Sequence, residues 1–219
     1  MNIIQTWKTK DVPEYYHGYI NKIKNLHPQW NYMFFDDNDI IEFMKSFMPE
    51  YINLFNNLPY TIQKIDLFRY LAIYHYGGVY LDLDMDINQN FDHLFNTMNC
   101  SFPIELKNVS DHVLKMQNND ILIGNYAFYS PPRHPFLKKI IDNIVHPVIS
   151  HKDISIAQLQ HTDNPRDVFV YHTTGPILVS YTYNTFDNKD NINLLESNPF
   201  KINCFGSYGY HRSHGTWKI

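Results

Sequence analysis

The sequence predicts an α/β sandwich built on a largely parallel sheet, and three observations carry that expectation. Segments of strand character alternate with segments whose apolar residues recur at helical spacing. The chain has 219 residues, 44% of them hydrophobic, which is enough to fill one large core. No internal repeat or low-complexity linker divides it, so one domain over residues 1–219 is expected.

Met1 to Trp7 is a short apolar start that reads as the first strand. Pro13 opens a helix, because proline is tolerated in a first turn, and Tyr16, Ile20, Ile23 and Leu26 follow at helical spacing. Trp30 to Phe35 reads as the second strand, and Asp36-Asp37-Asn38-Asp39 as a turn or helix cap. Helical patterns run from Ile40 to Phe47 and from Thr61 to Tyr76. Gly77-Gly78 stops the second of these, since glycine readily takes the left-handed cap conformation. Val79 to Leu83 is then a strand. In the second half, strands are expected at Ile121 to Ile123 and Phe200 to Phe205. Helices are expected at His134 to Val145, opened by Pro135, and at Gly175 to Tyr183. Ligands of such sheets sit beyond the carboxyl ends of strands, which puts Asp82 to Asp86 where a ligand belongs.

Composition narrows the function. The net charge is −4 without any basic run, so the clustered Lys and Arg of a nucleic-acid binder are missing. An aromatic content of 16% suits a cleft for sugars or bases, although AT-rich coding produces the same bias. Cys100 and Cys204 form no CxxC and read as reduced, buried thiols, with one disulfide as the alternative. The start lacks the charged-then-apolar pattern of a signal peptide, and no stretch approaches ~18 uncharged apolar residues. A soluble, cytoplasmic protein without a membrane span is therefore expected.

The chemistry concentrates in Val79-Tyr80-Leu81-Asp82-Leu83-Asp84-Met85-Asp86. Period-two alternation would put Tyr80, Asp82, Asp84 and Asp86 on one face of a strand. Carboxylates crowded on one face repel unless solvated or joined by a cation, and a hard divalent ion such as Mn²⁺ or Mg²⁺ takes carboxylate oxygens and shares substrate phosphates. A solvated strand edge is the plainer alternative. The helix before it carries Asp66 and Arg69 three residues apart, on one face, which could reach the same cleft or could form only a surface ion pair.

Asp66-Leu67-Phe68-Arg69 followed by Gly77-Gly78-Val79-Tyr80-Leu81-Asp82-Leu83-Asp84 resembles the sugar-binding region of glycosyltransferase family 32, whose hallmark is a DxD motif, and is similar to the catalytic domains of clostridial glucosylating toxins. Ile4 to Thr9, Asn125 with Ser130-Pro131 and His134-Pro135, Thr173-Thr174-Gly175-Pro176, and His211 to Trp217 match further blocks of the family in order. The resemblance implies a GT-A-like, Rossmann-type α/β sandwich with a central mixed, mostly parallel sheet flanked by helices. It also implies a retaining hexosyltransferase that uses a UDP- or GDP-sugar donor, Mn²⁺ or Mg²⁺, and a glycan, protein or other hydroxyl acceptor.

Carried over by position, the resemblance implies that Trp7 stacks on the nucleotide base, with Thr6 beside it. Asp66 and Arg69 hydrogen-bond the donor sugar, and Asn125 sits near it. Tyr80 reaches the ribose or diphosphate. Asp82 binds donor and metal, Asp84 is the main protein ligand, His211 completes the metal site, and Trp217 closes over the diphosphate. Two departures stand out: His214 competes with His211 as the ligand, and Thr216 replaces a serine while keeping its hydroxyl. Asp86 has no role in the family pattern and is expected to be solvated. No residue is marked as a covalent nucleophile, so same-face displacement assisted by the departing phosphate is expected. Two rivals remain from the residues alone: a metal-dependent phosphohydrolase or nuclease, and a carbohydrate-binding protein that keeps the fold without turnover.

Overall fold

A computed structural model of the chain describes residues 1–96, 98–196 and 204–217. The first part alternates β1 (Asn2–Thr6), α1 (Glu14–Leu26), β2 (Asn31–Phe35), α2 (Asp37–Phe47), α3 (Ile52–Asn57), α4 (Thr61–Tyr76), β3 (Gly78–Leu81) and the short β4 (Met85–Ile87). Next come β5 (Cys100–Leu106), α5 (His112–Met116), β6 (Leu122–Ile123) and β7 (Ala127–Ser130). Four helices follow, α6 (Pro135–Val145), α7 (His151–Gln160), α8 (Pro165–Thr173) and α9 (Pro176–Thr185), and then β8 (Ile192–Leu195), β9 (Cys204–Phe205) and β10 (Gly209–His211).

Local chemistry explains the boundaries. The acidic run after β2 is a capping box: Asp36 accepts the Asp39 N–H at 2.9 Å, and Asp39 accepts the Asp36 N–H at 3.1 Å. Pro13, Pro135, Pro165 and Pro176 sit at or just before helix starts, where their missing N–H costs nothing. At the end of α4, Gly77 and Gly78 both take positive φ (66° and 115°). A Cβ on Gly78 would lie 2.2 Å from the Asn2 carbonyl oxygen, so only glycine lets β3 enter the sheet this close to β1.

Seven strands form the main sheet, in the order β2-β1-β3-β7-β5-β6 with β8 on β5. β2, β1 and β3 run parallel, β7 is reversed, β5 is reversed again, β6 opposes β5, and β8 runs with it. Five of the seven strands thus share one direction, the mixed but mostly parallel α/β sandwich that was expected. A second sheet, β4-β10-β9, is antiparallel. Alternation sorts the strand residues between two cores. Ile4, Tyr80, Phe102 and Phe128 pack under α2, α4, α6 and α9, while Ile3, Val79, Leu81 and Tyr129 face α1 and the small sheet.

Three readings need correction. The strand expected over Val79 to Leu83 ends at Leu81, so Asp82 to Asp84 lie in a turn and not on one face of a strand. Of the strand expected over Phe200 to Phe205, Cys204–Phe205 forms β9, and residues 200–203 lie outside the described residues. Gly175 is the N-cap of α9, which runs to Thr185, two residues beyond the expected end. Both cysteines are free and buried, as the reduced-thiol reading has it. Among the described residues, no helix is long and apolar enough to cross a membrane.

Candidate active site

The turn after β3 is built by backbone bonds. The Asp82 N–H donates to the Tyr126 carbonyl at 2.8 Å, and the Met85 N–H returns to the Asp82 carbonyl at 3.1 Å. The Gln5 side-chain amide also donates to that carbonyl, at 3.2 Å. β10 then pairs antiparallel with β4, setting His211 opposite Met85, one residue beyond Asp84. His211 Nε2 consequently stands 2.9 Å from Asp84 Oδ1 and 3.8 Å from Asp82 Oδ2. Tyr126 stacks on the imidazole at 4.6 Å with planes 10° apart, which fixes the ring's orientation.

One ligand atom from each of Asp82, Asp84 and His211 lies within 4.8 Å of the others. Two carboxylate oxygens and an imidazole nitrogen fit a divalent ion that accepts oxygen and nitrogen donors, as Mn²⁺ does, with its remaining positions left to phosphate or water. Burial raises the Asp82 carboxyl above its usual range, opposed in part by Arg69 and His211. Burial would also raise Asp84, but the His211 hydrogen bond and charge, with the His214 N–H at 2.8 Å, outweigh it and hold the carboxyl down. His211 is pushed down by burial and up, to a greater degree, by Asp84 and Asp82. Of the two acids, Asp84 is thus the one held as a carboxylate, with the His211 ring nitrogen against it.

Behind it, α4 delivers Asp66 and Arg69, each only 3% exposed, which rules out the surface ion pair. Arg69 Nη2 lies 3.3 Å from Asp66 and Nη1 lies 3.5 Å from Asp82, so the guanidinium ties the two carboxylates together. Nη1 also donates to the Asn125 carbonyl at 2.8 Å, and the guanidinium sits over the Tyr80 ring at 4.5 Å. Asp66 accepts from the Asn125 amide at 3.0 Å and from the Thr174 hydroxyl at 2.7 Å. Burial pushes its carboxyl up to about 6, with Arg69 opposing.

Asp66, Arg69, Asp82, Asn125, Asp84 and His211 are thus brought together. Tyr80 is 1% exposed, its hydroxyl donating to Asp82 Oδ1 at 2.9 Å and lying 3.3 Å from Thr6 Oγ1. Tyr80 and Thr6 therefore stand behind Asp82 and brace it, rather than facing a ribose. Trp7 is half-buried, edge-on to Tyr16 at 5.2 Å. Trp217 lies against Tyr171 of α8 at 6.1 Å, and its carbonyl accepts from Arg166 at 3.1 Å. Of the two histidines, His211 brings its ring to the carboxylates, whereas His214 offers Asp84 its backbone N–H and its ring sits beside Tyr15 and Tyr16, at 5.8 and 5.7 Å. Asp86 is not solvated. It is 8% exposed and bonds Lys22 at 2.7 Å and Arg212 at 2.6 Å, so it anchors the strand that carries His211.

Sequence reasoning missed Tyr70, Tyr126 and Arg212 as parts of the site. Tyr70 carried a signal, four residues from Asp66 on the same helix; the other two are placed by strand pairing that no local pattern announces.

Residues 13–100 match the model of the glycosyltransferase sugar-binding region containing the DXD motif. Inositol phosphoceramide mannosyltransferase 1 of Schizosaccharomyces pombe is 28% identical over 184 residues, covering 83% of this chain and 50% of that protein. Mannosyl phosphorylinositol ceramide synthase SUR1 of Saccharomyces cerevisiae is 34% identical over 144 residues, covering 66% and 34%. Among solved structures, the PaToxG glycosyltransferase aligns with a TM-score of 0.48 and 15% identity, over 83% of this chain and 68% of that one. The chain spans about half or less of the length of the curated relatives it first matches. Those relatives overturn the expected cytoplasmic placement. Their names tie them to inositol phosphoceramide, whose ceramide resides in membranes, and the lack of a spanning helix among the described residues of a chain this much shorter does not put the protein in the cytosol. Asp82-Leu83-Asp84 falls inside the matched segment as its DXD motif, so residues 13–100 are similar to the sugar-binding region of the DXD glycosyltransferases.

Proposed function

We propose that the chain transfers a hexosyl group from a UDP- or GDP-sugar to a hydroxyl acceptor with retention, in a reaction that depends on Mn²⁺ or Mg²⁺. The names of the relatives favour mannose as the sugar and an inositol-bearing lipid headgroup as the acceptor. The observation that carries this reading is the convergence of Asp82, Asp84 and His211 beside the buried Asp66–Arg69–Asn125 network.

Asp82, Asp84 and His211 would hold the divalent ion, which supplies charge neutralisation for the departing diphosphate. Arg69, already desolvated and fixed by three oxygen partners, adds a preorganised positive charge near the same place. Asp66 and Asp82 suit the positive charge that develops on the sugar as the bond from its anomeric carbon to the phosphate oxygen breaks. The acceptor oxygen then bonds that carbon from the same face, and its proton passes to the departing phosphate oxygen. Trp7 at the rim offers an indole to the base, and Trp217 closes the far side of the cleft.

The test is to incubate the protein with Mn²⁺ and a panel of UDP-glucose, UDP-galactose, UDP-N-acetylglucosamine and GDP-mannose, and to measure released nucleotide. Release with one donor that is abolished in Asp84→Ala supports the proposal. Inertness with every donor, or hydrolysis of simple phosphoesters instead, refutes it.

A further inference from the structure

Asn125 is one of the few residues of the site whose side chain can present either of two opposite groups to a ligand, an oxygen or an NH₂. Its orientation is decided by Asp66 together with Tyr70 and Thr174, two residues that none of the roles above includes. Asn125 Nδ2 donates to Asp66 Oδ1 at 3.0 Å and to the Tyr70 hydroxyl oxygen at 3.0 Å, which uses both amide hydrogens. Tyr70 can only accept that bond, because its own hydrogen is committed to the Thr174 carbonyl at 2.9 Å. The Thr174 hydroxyl in turn donates to Asp66 Oδ2 at 2.7 Å, so the carboxylate is held from both sides. Flipping the amide would set its oxygen against a carboxylate oxygen and against the lone pairs of Tyr70, exchanging two hydrogen bonds for two repulsions.

Tyr70 and Thr174 are fully buried, with Asn125 at 9% exposure. Asn125 Oδ1 accepts nothing among the described residues, yet it is not among the polar atoms sealed from solvent without a partner. Asn125 Oδ1 therefore keeps contact with solvent, on a residue whose backbone carbonyl is bonded by Arg69. Resting on the glycosyltransferase reading, we propose that Tyr70 and Thr174 are positioning residues that lock the Asn125 amide with Oδ1 turned to the cleft, where it accepts a hydrogen bond from a hydroxyl of the donor sugar. The site then demands a hydroxyl at that place on the sugar, and it discriminates against donors that lack one.

The test measures nucleotide release in Mn²⁺ with GDP-mannose, UDP-glucose and UDP-galactose for the wild-type chain, Tyr70→Phe, Asn125→Ala and the double variant. Each single variant lowers kcat/KM for the preferred donor by about tenfold or more, the weight of one well-placed hydrogen bond. The double variant is no worse than Asn125→Ala, because Tyr70 acts only through the amide, whereas a merely structural tyrosine would give additive losses. Thr174→Val loses activity and Thr174→Ser keeps it. If Tyr70→Phe stays within about twofold of wild type, or if the two losses add, the positioning role is overturned while the transferase reading stands. If the wild-type chain releases nucleotide from no donor, the transferase reading falls and takes this inference with it.

Discussion

Gly209→Ala probes how the fold assembles the Asp82–Asp84–His211 cluster, proposed to hold a metal, without touching any of its members. Gly209 lies in β10, two residues before His211, opposite Ile87 of β4. A Cβ there would stand 2.5 Å from the Asp86 carbonyl oxygen and 2.8 Å from Ile87 Cα, both backbone atoms that cannot rotate away. Ordinary contact begins at 3.4 Å, so β10 must retreat from β4 by close to an ångström. Such overpacking costs about 1–3 kcal/mol of stability. The same retreat draws His211 Nε2 away from Asp84 Oδ1, now 2.9 Å distant, and a ligand set loosened in this way loses about 10- to 100-fold in metal affinity. The assay is calorimetric titration of Mn²⁺ below the melting temperature, paired with thermal unfolding. A variant with wild-type affinity and stability would refute the argument that close β4–β10 pairing sets the cluster.

Three further expectations follow from the buried charges. Asp66 has its carboxyl raised to about 6 by burial, so the folded chain binds that proton more tightly than the unfolded chain does. Its contribution to stability therefore falls as pH rises from the usual carboxylate range through about 6, and Asp66→Asn flattens that slope in urea unfolding followed against pH. Asp111 behaves in the opposite sense: despite its burial, bonds from His172 and His161 at 3.0 Å and from the Leu114 N–H at 3.1 Å hold its carboxyl well below the usual range. That stabilisation is complete above the unfolded value and is lost as pH falls through the folded one, and Asp111→Ala costs about 3 kcal/mol at neutral pH by urea titration. Arg69→Lys keeps the charge but cannot reach Asp66, Asp82 and the Asn125 carbonyl together, so kcat/KM for the preferred donor drops by about 100-fold, and the melting temperature falls because buried partners lose their bonds.

Much of the first half of the fold was legible because its signals are local. Prolines, glycines and the Asp36–Asp39 cap mark helix ends through backbone chemistry that any window of sequence displays, and α4 begins and ends where its pattern does. β5, β7 and β8 were not foreseen. β7 and β8 have only four residues each, β5 is buried without alternation over its first five, and all three are defined by pairing with strands far away in the chain. The same divide runs through the site. Asp66 with Arg69, and Asp82 with Asp84, are near neighbours whose types and spacing signal chemistry. The alternation applied to Asp82–Asp86 failed because the strand stops at Leu81, where a turn re-aims both site carboxylates and sends Asp86 towards Lys22 and Arg212. Tyr126, Thr174 and Tyr70 act through contacts across the fold, which a single sequence does not pair.

The central claim is that Asp82, Asp84 and His211 together hold a divalent cation against the diphosphate of a nucleotide sugar. Its most direct test is calorimetric titration of Mn²⁺ into the full chain in the presence of UDP or GDP, repeated for Asp84→Ala and His211→Ala. The wild-type chain binds Mn²⁺ and one of the nucleotides cooperatively, Asp84→Ala abolishes the Mn²⁺ heat, and His211→Ala weakens it about 10- to 100-fold. Mn²⁺ binding that persists unchanged in both variants would contradict the account.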